Sequence, residues 1–579
     1  MDQQLFIPNT SQHNMASYQI LINGAVANPV YELLSMMVIR EINKVPSVRI
    51  IFKDGDPAQK TFALSEMNDF IPGTPIVVKI GRDQKNTQVF KGIIIRHAIR
   101  VKENGQSELI VECRDEVIRM TVGRHSKYYT KIKDSDLLNT LVTGYKNLSC
   151  SAKPTTLQHE DLVQHHVSDW DFMLLRAEAN SMLVNVIDGT VNIAVPNTNA
   201  QPVVTVAFGS SILEFEAEMD ARNQWKNVEA RSWDYHNQAV FTADASGVPG
   251  WAEPGNITGA TLAQTIDLPN YELHHSGYLP EAELQSWVNG QMLRSIMAKI
   301  RGRAKCTGFA GVKPGDIVAV TGVGQRFNGN VFVTAVRHDF GNGIWDTHIQ
   351  FGLDPRRYAE VYHDIEDRKA AGLIGGIRGL QVGVTAQLEG DPEGQDRILV
   401  KLPMIDNKAL GIWTRVASLD AGNKRGAYFR PEVGDEVIVG FINDDPRDAV
   451  LLGMLNSSAK PAPQATTKAN DIKGFVSRSN MKILFDDGNT NITIVTPNGN
   501  KIFVDDGGTQ IALTDQNQNS ITMDSSGITL TSATGNITIG ATAGNIQMTA
   551  GMDLTASGLT ASLSGDTSVT ITGTTVAIN

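Results

Sequence analysis

Three cysteines stand in 579 residues, at Cys113, Cys150 and Cys306. They are too few and too scattered for a disulfide framework or a zinc site, and they read as ordinary buried thiols of a cytoplasmic protein. Other residue types run out along the chain: no histidine follows His363, no proline Pro497, no lysine or arginine Lys501, and no aromatic Phe503. The last stretch therefore lacks imidazole, thiolate and base, so it offers neither soft metal ligands nor a grip on phosphate. Basic charge is scarce overall. A formal net charge of −11 and a pI near 5.6 have the wrong sign for a nucleic-acid binder. Nothing approaches the run of about 18 apolar residues that marks a transmembrane helix. The opening MDQQLFIPNTSQHNM has neither the basic start nor the apolar run of a signal peptide. Export would then need a machine other than the general secretory route.

What the chain does have is a repeated phrase. From 474 to 579 an apolar, a polar and a second apolar residue recur between turns of Gly, Asn, Asp, Ser or Thr. The apolar pairs are Ile483/Phe485, Ile492/Ile494, Ile502/Val504, Ile511/Leu513, Ile521/Met523, Ile528/Leu530, Ile537/Ile539 and Ile546/Met548. They begin 9, 10, 9, 10, 7, 9 and 9 residues apart, and less regular pairs follow at Leu559/Leu563, Val569/Ile571 and Val576/Ile578. Alternation with period two marks strands with one buried face. Strands this short, punctuated this often, read as a stack joined by tight turns.

One phrase cannot bury its own apolar patch, which leaves two arrangements. The chain coils on itself as in a β-roll, two phrases per coil, or three chains wind round one axis and each supplies a face of a prism. The drifting period favours the trimer, because stacked coils must keep register. The residues expected in the trimer core are Ile492, Ile494, Ile502, Val504, Ile511, Leu513, Ile521, Met523, Ile528, Leu530, Ile537, Ile539, Ile546 and Met548.

Upstream, residues 17–122 are mainly strands (SYQILING, SVRIIFK, TPIVVKIG, SELIVECRD), a barrel- or sandwich-like module. Asp134 and Ser135 are suited to cap a helix over DLLNTLVTGYKN, and Ser168 opens a second helix with early carboxylates. A long helix is expected after Pro280, over EAELQSWVNGQMLRSIMAKIRGRA, acids first and bases last. Strands resume in DIVAVTGV, GNVFVTAVRHDF and WDTHIQFGL. Residues 356–376 read as a short charged helix or linker. Five short strands between Gly379 and Asn456 suit a small barrel such as an OB-fold, and 457–473 is a Pro/Ala/Thr-rich linker.

Several constellations tempt and fail. His159-Glu160 with His165 and His166 does not place two imidazoles four residues apart on a helix, so it reads as a solvated segment before the helix. His274, His275, His338 and His348 lack clustered carboxylates. The glycines Gly372, Gly375, Gly376 and Gly379 precede no Lys-Ser/Thr and read as a hinge. Asp486-Asp487 and Asp505-Asp506 suit turns better than calcium, and Asp391, Glu393 and Asp396 read as solvent-facing.

The ordered set PEVGDEVIVGFINDDPRDAVLLGML, SRSNMKILFDD, TPNGNKIFVDD, VKPGDIVAVTGVGQRFNGNVFVTAVRHDFGNGIWDTHIQFGL and SDWDFMLLRAEANSM resembles VgrG-type spike proteins of contractile injection systems. The resemblance implies a mainly β homotrimer. An N-terminal extension (1–16) would precede a phage-hub-like domain of two barrel-like β modules plus helices (17–370). An OB-fold domain (371–456), the linker (457–473) and a triple-stranded intertwined β-helix needle (474–579) would follow. It implies a non-enzymatic, membrane-puncturing spike without cofactor or metal. Its partners would be the inner-tube ring protein, baseplate proteins, a PAAR-type tip protein docked at Val576, Ala577, Ile578 and Asn579, effector cargo and, transiently, the target membrane. Such a spike would assemble in the cytoplasm and be ejected by the machine. The alternatives are the spike of an extracellular phage-like particle or prophage tail and, more distantly, a β-solenoid adhesin or murein hydrolase.

Overall fold

The computed structural model describes residues 7, 15–103, 105–246 and 250–578. Most of the N-terminal extension, and Asn579, lie outside the described residues. The chain divides into two units, Met1–Gly376 and Ile377–Asn579.

The first unit is organised by one sheet of 13 strands. Ala16–Ile22, Leu33–Glu41, Ser47–Lys53, Pro75–Arg82, Lys85–Val101 and Ser107–Arg114 make up one half; Ile212–Met219, Ile300–Thr307, Gly329–Gly341 and Ile344–Phe351 belong to the other. Alternate residues point into two separate cores, one holding Ile50, Phe52, Phe70 and Leu109, the other Val206, Val320, Val336 and Phe351. Two barrel-like modules are expected from the sequence; the structure joins the two halves through one continuous sheet. Leu33–Glu41 pairs antiparallel with Gly329–Gly341, Val38 opposite His338, so the halves are welded by backbone hydrogen bonds. Pairing between residues so far apart leaves no local mark in the sequence.

Among the described residues this unit has five α-helices: α1 (Asp134–Thr143), α2 (Asp169–Ala179), α3 (Gly259–Ile266), α4 (Glu281–Met297) and the four-residue α5 (Tyr358–Val361). Ser168 caps α2 as expected, its Oγ accepting the Asp171 N–H at 3.1 Å. Asp134 does not cap α1. It is 1% exposed and accepts hydrogen bonds from Arg176 Nε (2.7 Å), His159 Nε2 (2.9 Å) and Asn180 Nδ2 (2.9 Å), while Arg176 also reaches Glu283 at 3.0 Å. His159 is accordingly buried in the strand Gln158–Val167, not solvated. The helix after Pro280 stops at Met297, and IRGRA turns into the strand Ile300–Thr307.

In the second unit, five strands close a barrel: Gln381–Gln387, Ile398–Lys401, Ile412–Val416, Glu436–Phe441 and Ala449–Met454. Its core is Ile398, Val400, Leu402, Val437, Val439, Ala449 and Leu451. Asp391 is shielded rather than solvent-facing, its carboxylate bound to Arg397 at 2.7 Å. Seven further strands, Ile472–Val476, Lys482–Asp486, Asn491–Val495, Lys501–Asp505, Gln510–Thr514, Ser520–Asp524 and Gly527–Thr531, form one antiparallel meander. Each pairs with the next. This corrects the β-roll, which would pair alternate strands in parallel, whereas here consecutive strands of one chain pair antiparallel.

Candidate assembly face

The meander sorts its residues onto two faces because neighbouring strands sit in direct register. One row runs Phe475–Ile483–Ile494–Ile502–Leu513–Ile521–Leu530 and a second Phe485–Ile492–Val504–Ile511–Met523–Ile528. The opposite face carries Thr493, Thr522, Thr529, Lys482, Lys501 and the strand-end carboxylates Asp486, Asp505 and Asp524, with Leu484 and Phe503 among them. Lys501 lies over the Phe503 ring at 4.0 Å and covers part of it. Twelve apolar residues picked out by spacing alone are thus gathered on one side of a single sheet.

That side is open. Ile494 is 39% exposed, Ile502 41%, Leu513 38% and Ile521 37%, and exposure climbs to 70% at Ile528. A trough of about 730 Å³ runs along it, lined by Ile494, Ile502, Leu513, Ile521 and Leu530 and ending at Ile537. Removing the remaining exposure of the nine residues Ile483, Phe485, Ile492, Ile494, Ile502, Ile511, Leu513, Ile521 and Met523, each near two-fifths exposed, contributes about 5–11 kcal/mol per chain at about 1.5–3 kcal/mol for a fully buried side chain.

Beyond Thr531 no strand is formed among the described residues. Ile539 (69%), Ile546 (50%) and Met548 (68%) are exposed and belong to no sheet, in contrast to the strand positions expected for them. Of the tip residues, Val576 is 51% and Ile578 88% exposed; Asn579 is outside the described residues.

Two features of the face were not found from the sequence. Phe475 heads the first row and stacks on Phe429 of the barrel, ring centroids 5.1 Å apart and planes 13° from parallel, while Arg478 bonds Glu432 at 2.8 Å. The aromatic at each site was visible; their meeting was not. The second is an amide ladder on one edge. Asn500 Oδ1 accepts the N–H of Gln516 (3.1 Å), and Asn519 Oδ1 accepts that of Ala533 (3.1 Å), so each turn binds the next turn on its side. The signal was a pair of asparagines one hairpin repeat apart. At the other edge Asp486 accepts from Asn489 N at 3.0 Å and Nδ2 at 2.9 Å, a turn-forming role that holds its carboxyl below the usual range.

Electrostatics elsewhere serve the fold. Burial alone pushes the Asp134 carboxyl up, but hydrogen bonds from His159, Arg176 and Asn180 outweigh it and hold the group well below the carboxylate range. His338, 5% exposed with Nδ1 2.9 Å from Thr347 Oγ1, is lowered to about 3 by burial and the nearby Arg40 charge, so it stays neutral. Among the described residues no group of three or more His, Cys, Asp or Glu could hold a metal ion, and no helix is long and apolar enough to cross a membrane.

Comparison with known proteins gives two family matches. Residues 12–342 match the model of the Alg8 N-terminal domain, and residues 381–455, the closed barrel, match that of the type VI secretion system/phage-baseplate injector OB domain. A 59-residue segment is 39% identical to the type VI secretion system spike protein VgrG3 of Vibrio cholerae, a match that spans 10% of this chain and 6% of that protein. Among solved structures, a 43 kDa tail protein of prophage MuSo2 from Shewanella oneidensis is similar over 59% of this chain and 98% of its own (TM-score 0.45, 11% identity). An E. coli component of the type VI secretion system is similar over 75% and 99% (TM-score 0.37, 11% identity). The Francisella PdpA–VgrG complex contains a chain similar over 90% and 89% (TM-score 0.38, 10% identity).

Proposed function

The chain belongs to the family of the Alg8 N-terminal domain and is a VgrG-type spike protein, and on that premise we propose that it acts as a homotrimer at the tip of the inner tube of a contractile injection machine, where it punctures a target membrane. The observation that carries the trimer is the apolar face. Two in-register rows covering seven strands lie open in one chain, and three such sheets facing a common axis remove them from water without leaving a mismatched surface. Closing the faces inward also turns the Thr, Lys and Asp side outward, as a shaft that must slide through its surroundings requires.

In this reading the needle has two zones. Three antiparallel sheets form the stem as far as Thr531, and the three tails 532–578 intertwine beyond it, supplying one another with the strand partners that a single chain does not offer. A PAAR-type tip protein docks near Val576, Ala577 and Ile578, the first unit seats on the inner-tube ring and baseplate proteins, and effectors travel with the assembly. The spike is assembled in the cytoplasm and ejected, and it works mechanically, without catalysis or a metal. The family description of the barrel names type VI secretion and the phage baseplate together, so both kinds of machine fit; the genes adjacent to this one, with or without membrane-anchoring components, separate them. Light scattering on the purified chain tests the assembly. A mass three times 62.9 kDa is expected, and a clean monomer at micromolar concentration refutes it.

A further inference from the structure

The two halves of the large sheet repeat one another strand for strand. Leu33–Glu41, Ser47–Lys53, Ser107–Arg114 and Lys85–Val101 lie side by side in that order, and so do Ile212–Met219, Ile300–Thr307, Ile344–Phe351 and Gly329–Gly341. Their irregularities coincide. The first pair of each set slips by one residue, between Leu33 and Ser35 and between Ile212 and Glu214. The last pair slips between Ile94 and Arg96 in one set and between Val333 and Ala335 in the other. Laying slip on slip matches Met36 with Phe215, Val38 with Ala217, Ile99 with His338 and Val101 with Phe340. Every cross-strand register between them then agrees.

The weld uses one strand of each set: Gly329–Gly341 takes Leu33–Glu41 along its second half, His338 opposite Val38 and Phe340 opposite Met36. The counterparts of these two strands are Lys85–Val101 and Ile212–Met219, and each has an open edge. Residues 96–101 pair with Ser107–Arg114 on one side, while Pro75–Arg82 leaves the strand at Ile93. Ile212–Met219 ends the sheet. Among the described residues no other strand pairs with either edge, and within one chain six strands stand between them.

The two edges suit each other. Transferring the register of the weld sets Ala98 opposite Glu218, Ile99 opposite Ala217, Arg100 opposite Glu216 and Val101 opposite Phe215. On the outer face the signs already alternate from strand to strand. Lys53, Glu108 and Arg100 are neighbours at one edge, with Arg100 Nε on Glu108 at 2.8 Å; Glu216 and Arg303 are neighbours at the other, 2.9 Å apart. Joining Arg100 to Glu216 continues that alternation. Charge alone also serves to keep an edge solitary; the core-facing side decides against this. Ile99 is 51% and Val101 65% exposed, whereas their counterparts His338 and Phe340, which Leu33–Glu41 covers, are 5% and 6% exposed.

We propose that Ile212–Met219 of one copy of this chain adds as an antiparallel strand to residues 96–101 of the next, so that the sheet runs on from chain to chain. Unlike edges meet, which makes the contact head-to-tail and able to close into a ring. Closure at three rests on the trimer reading; the pairing of the edges does not.

Cysteine cross-linking of the full chain tests the pairing, in a Cys150→Ser background because Cys113 and Cys306 are fully buried. Ala98→Cys and Glu218→Cys stand opposite each other in the transferred register, at the separation of cross-strand neighbours that a disulfide spans. After mild oxidation, boiled samples of this double variant on a non-reducing gel should give bands of two and three chains that reduction returns to one. Ala98→Cys with Ala217→Cys, one residue out of register and on the other face, should stay at one chain, and so should each single variant. Cross-linking of a single variant, or equal cross-linking of the out-of-register pair, overturns the proposal. Light scattering before oxidation keeps the two readings apart. A trimer that does not cross-link refutes the edge pairing alone, and a ladder running past three chains refutes closure at three alone.

Discussion

Leu513 and Thr514 are neighbours on one strand and belong to opposite faces, so exchanging each for aspartate asks which face is buried in the assembly. Leu513 sits between Ile502 and Ile521 in the first row, 38% exposed; Thr514 lies between Lys501 and Ser520 on the polar side. With three sheets closed on an axis, Leu513→Asp forfeits the residual burial of the leucine, about 0.6–1.1 kcal/mol per chain. It also places three carboxylates at one level of a dry core, each costing several kcal/mol to desolvate without a partner. The sum is on the order of 10 kcal/mol per trimer, about seven decades in an association constant. Thr514→Asp stays in water opposite Lys501, and its effect should remain within about 0.5 kcal/mol. Unheated samples on an SDS gel and limited proteolysis of the stem read the outcome directly. Wild type and Thr514→Asp should keep an SDS-resistant trimer and a protease-resistant stem. Leu513→Asp should lose both while the first unit still melts cooperatively. Equal behaviour of the two variants would refute the proposed facing.

Three further outcomes follow from particular contacts. In the distal zone Ile539→Asp should lower the heat resistance of the trimer far more than Thr538→Asp, measured by the temperature at which the SDS-resistant band disappears; equal losses would mean that the tails do not intertwine with Ile539 inside. Asp134, held below its ordinary value of 3.8, contributes stability that is fully present above about pH 4 and is lost as pH falls toward its folded value. Wild type should therefore lose melting temperature below about pH 4 more steeply than Asp134→Asn, which should itself be destabilised at pH 7 by about 3 kcal/mol because Arg176 and His159 lose their anion; parallel pH profiles would exclude the group. Phe475→Ala removes the stack on Phe429, worth about 0.5–1.5 kcal/mol beyond its buried area. Cleavage in the 457–471 segment should then quicken several-fold with the barrel intact, a result that unchanged proteolysis would contradict.

The first unit shows where reading the sequence fails and why. Ser168 was legible as a cap because everything it needs lies within three residues. Asp134 carries the same local credentials, yet the partners that claim it, His159, Arg176 and Asn180, come from later elements, and burial turns a cap into the centre of an ion network that Arg176 extends to Glu283. The weld between Leu33–Glu41 and Gly329–Gly341 was out of reach for the same reason.

The repeats give the sharper lesson. Period two reveals which residues share a face, and the twelve chosen that way do lie together, but it is blind to the direction in which strands pair: a meander, a β-roll and an interwound prism all alternate alike. Up to Thr531 the turns are short enough, and bonded well enough through Asp486, Asn500 and Asn519, for each strand to fold back on the one before it. After Thr531 the apolar pairs continue at Ile537/Ile539 and Ile546/Met548, yet no strand is formed there among the described residues. In the proposed trimer this segment, which keeps the spacing of strands, takes its strand partners from the other chains, and this is why the distal variants, more than any in the stem, decide whether the needle is wound from three.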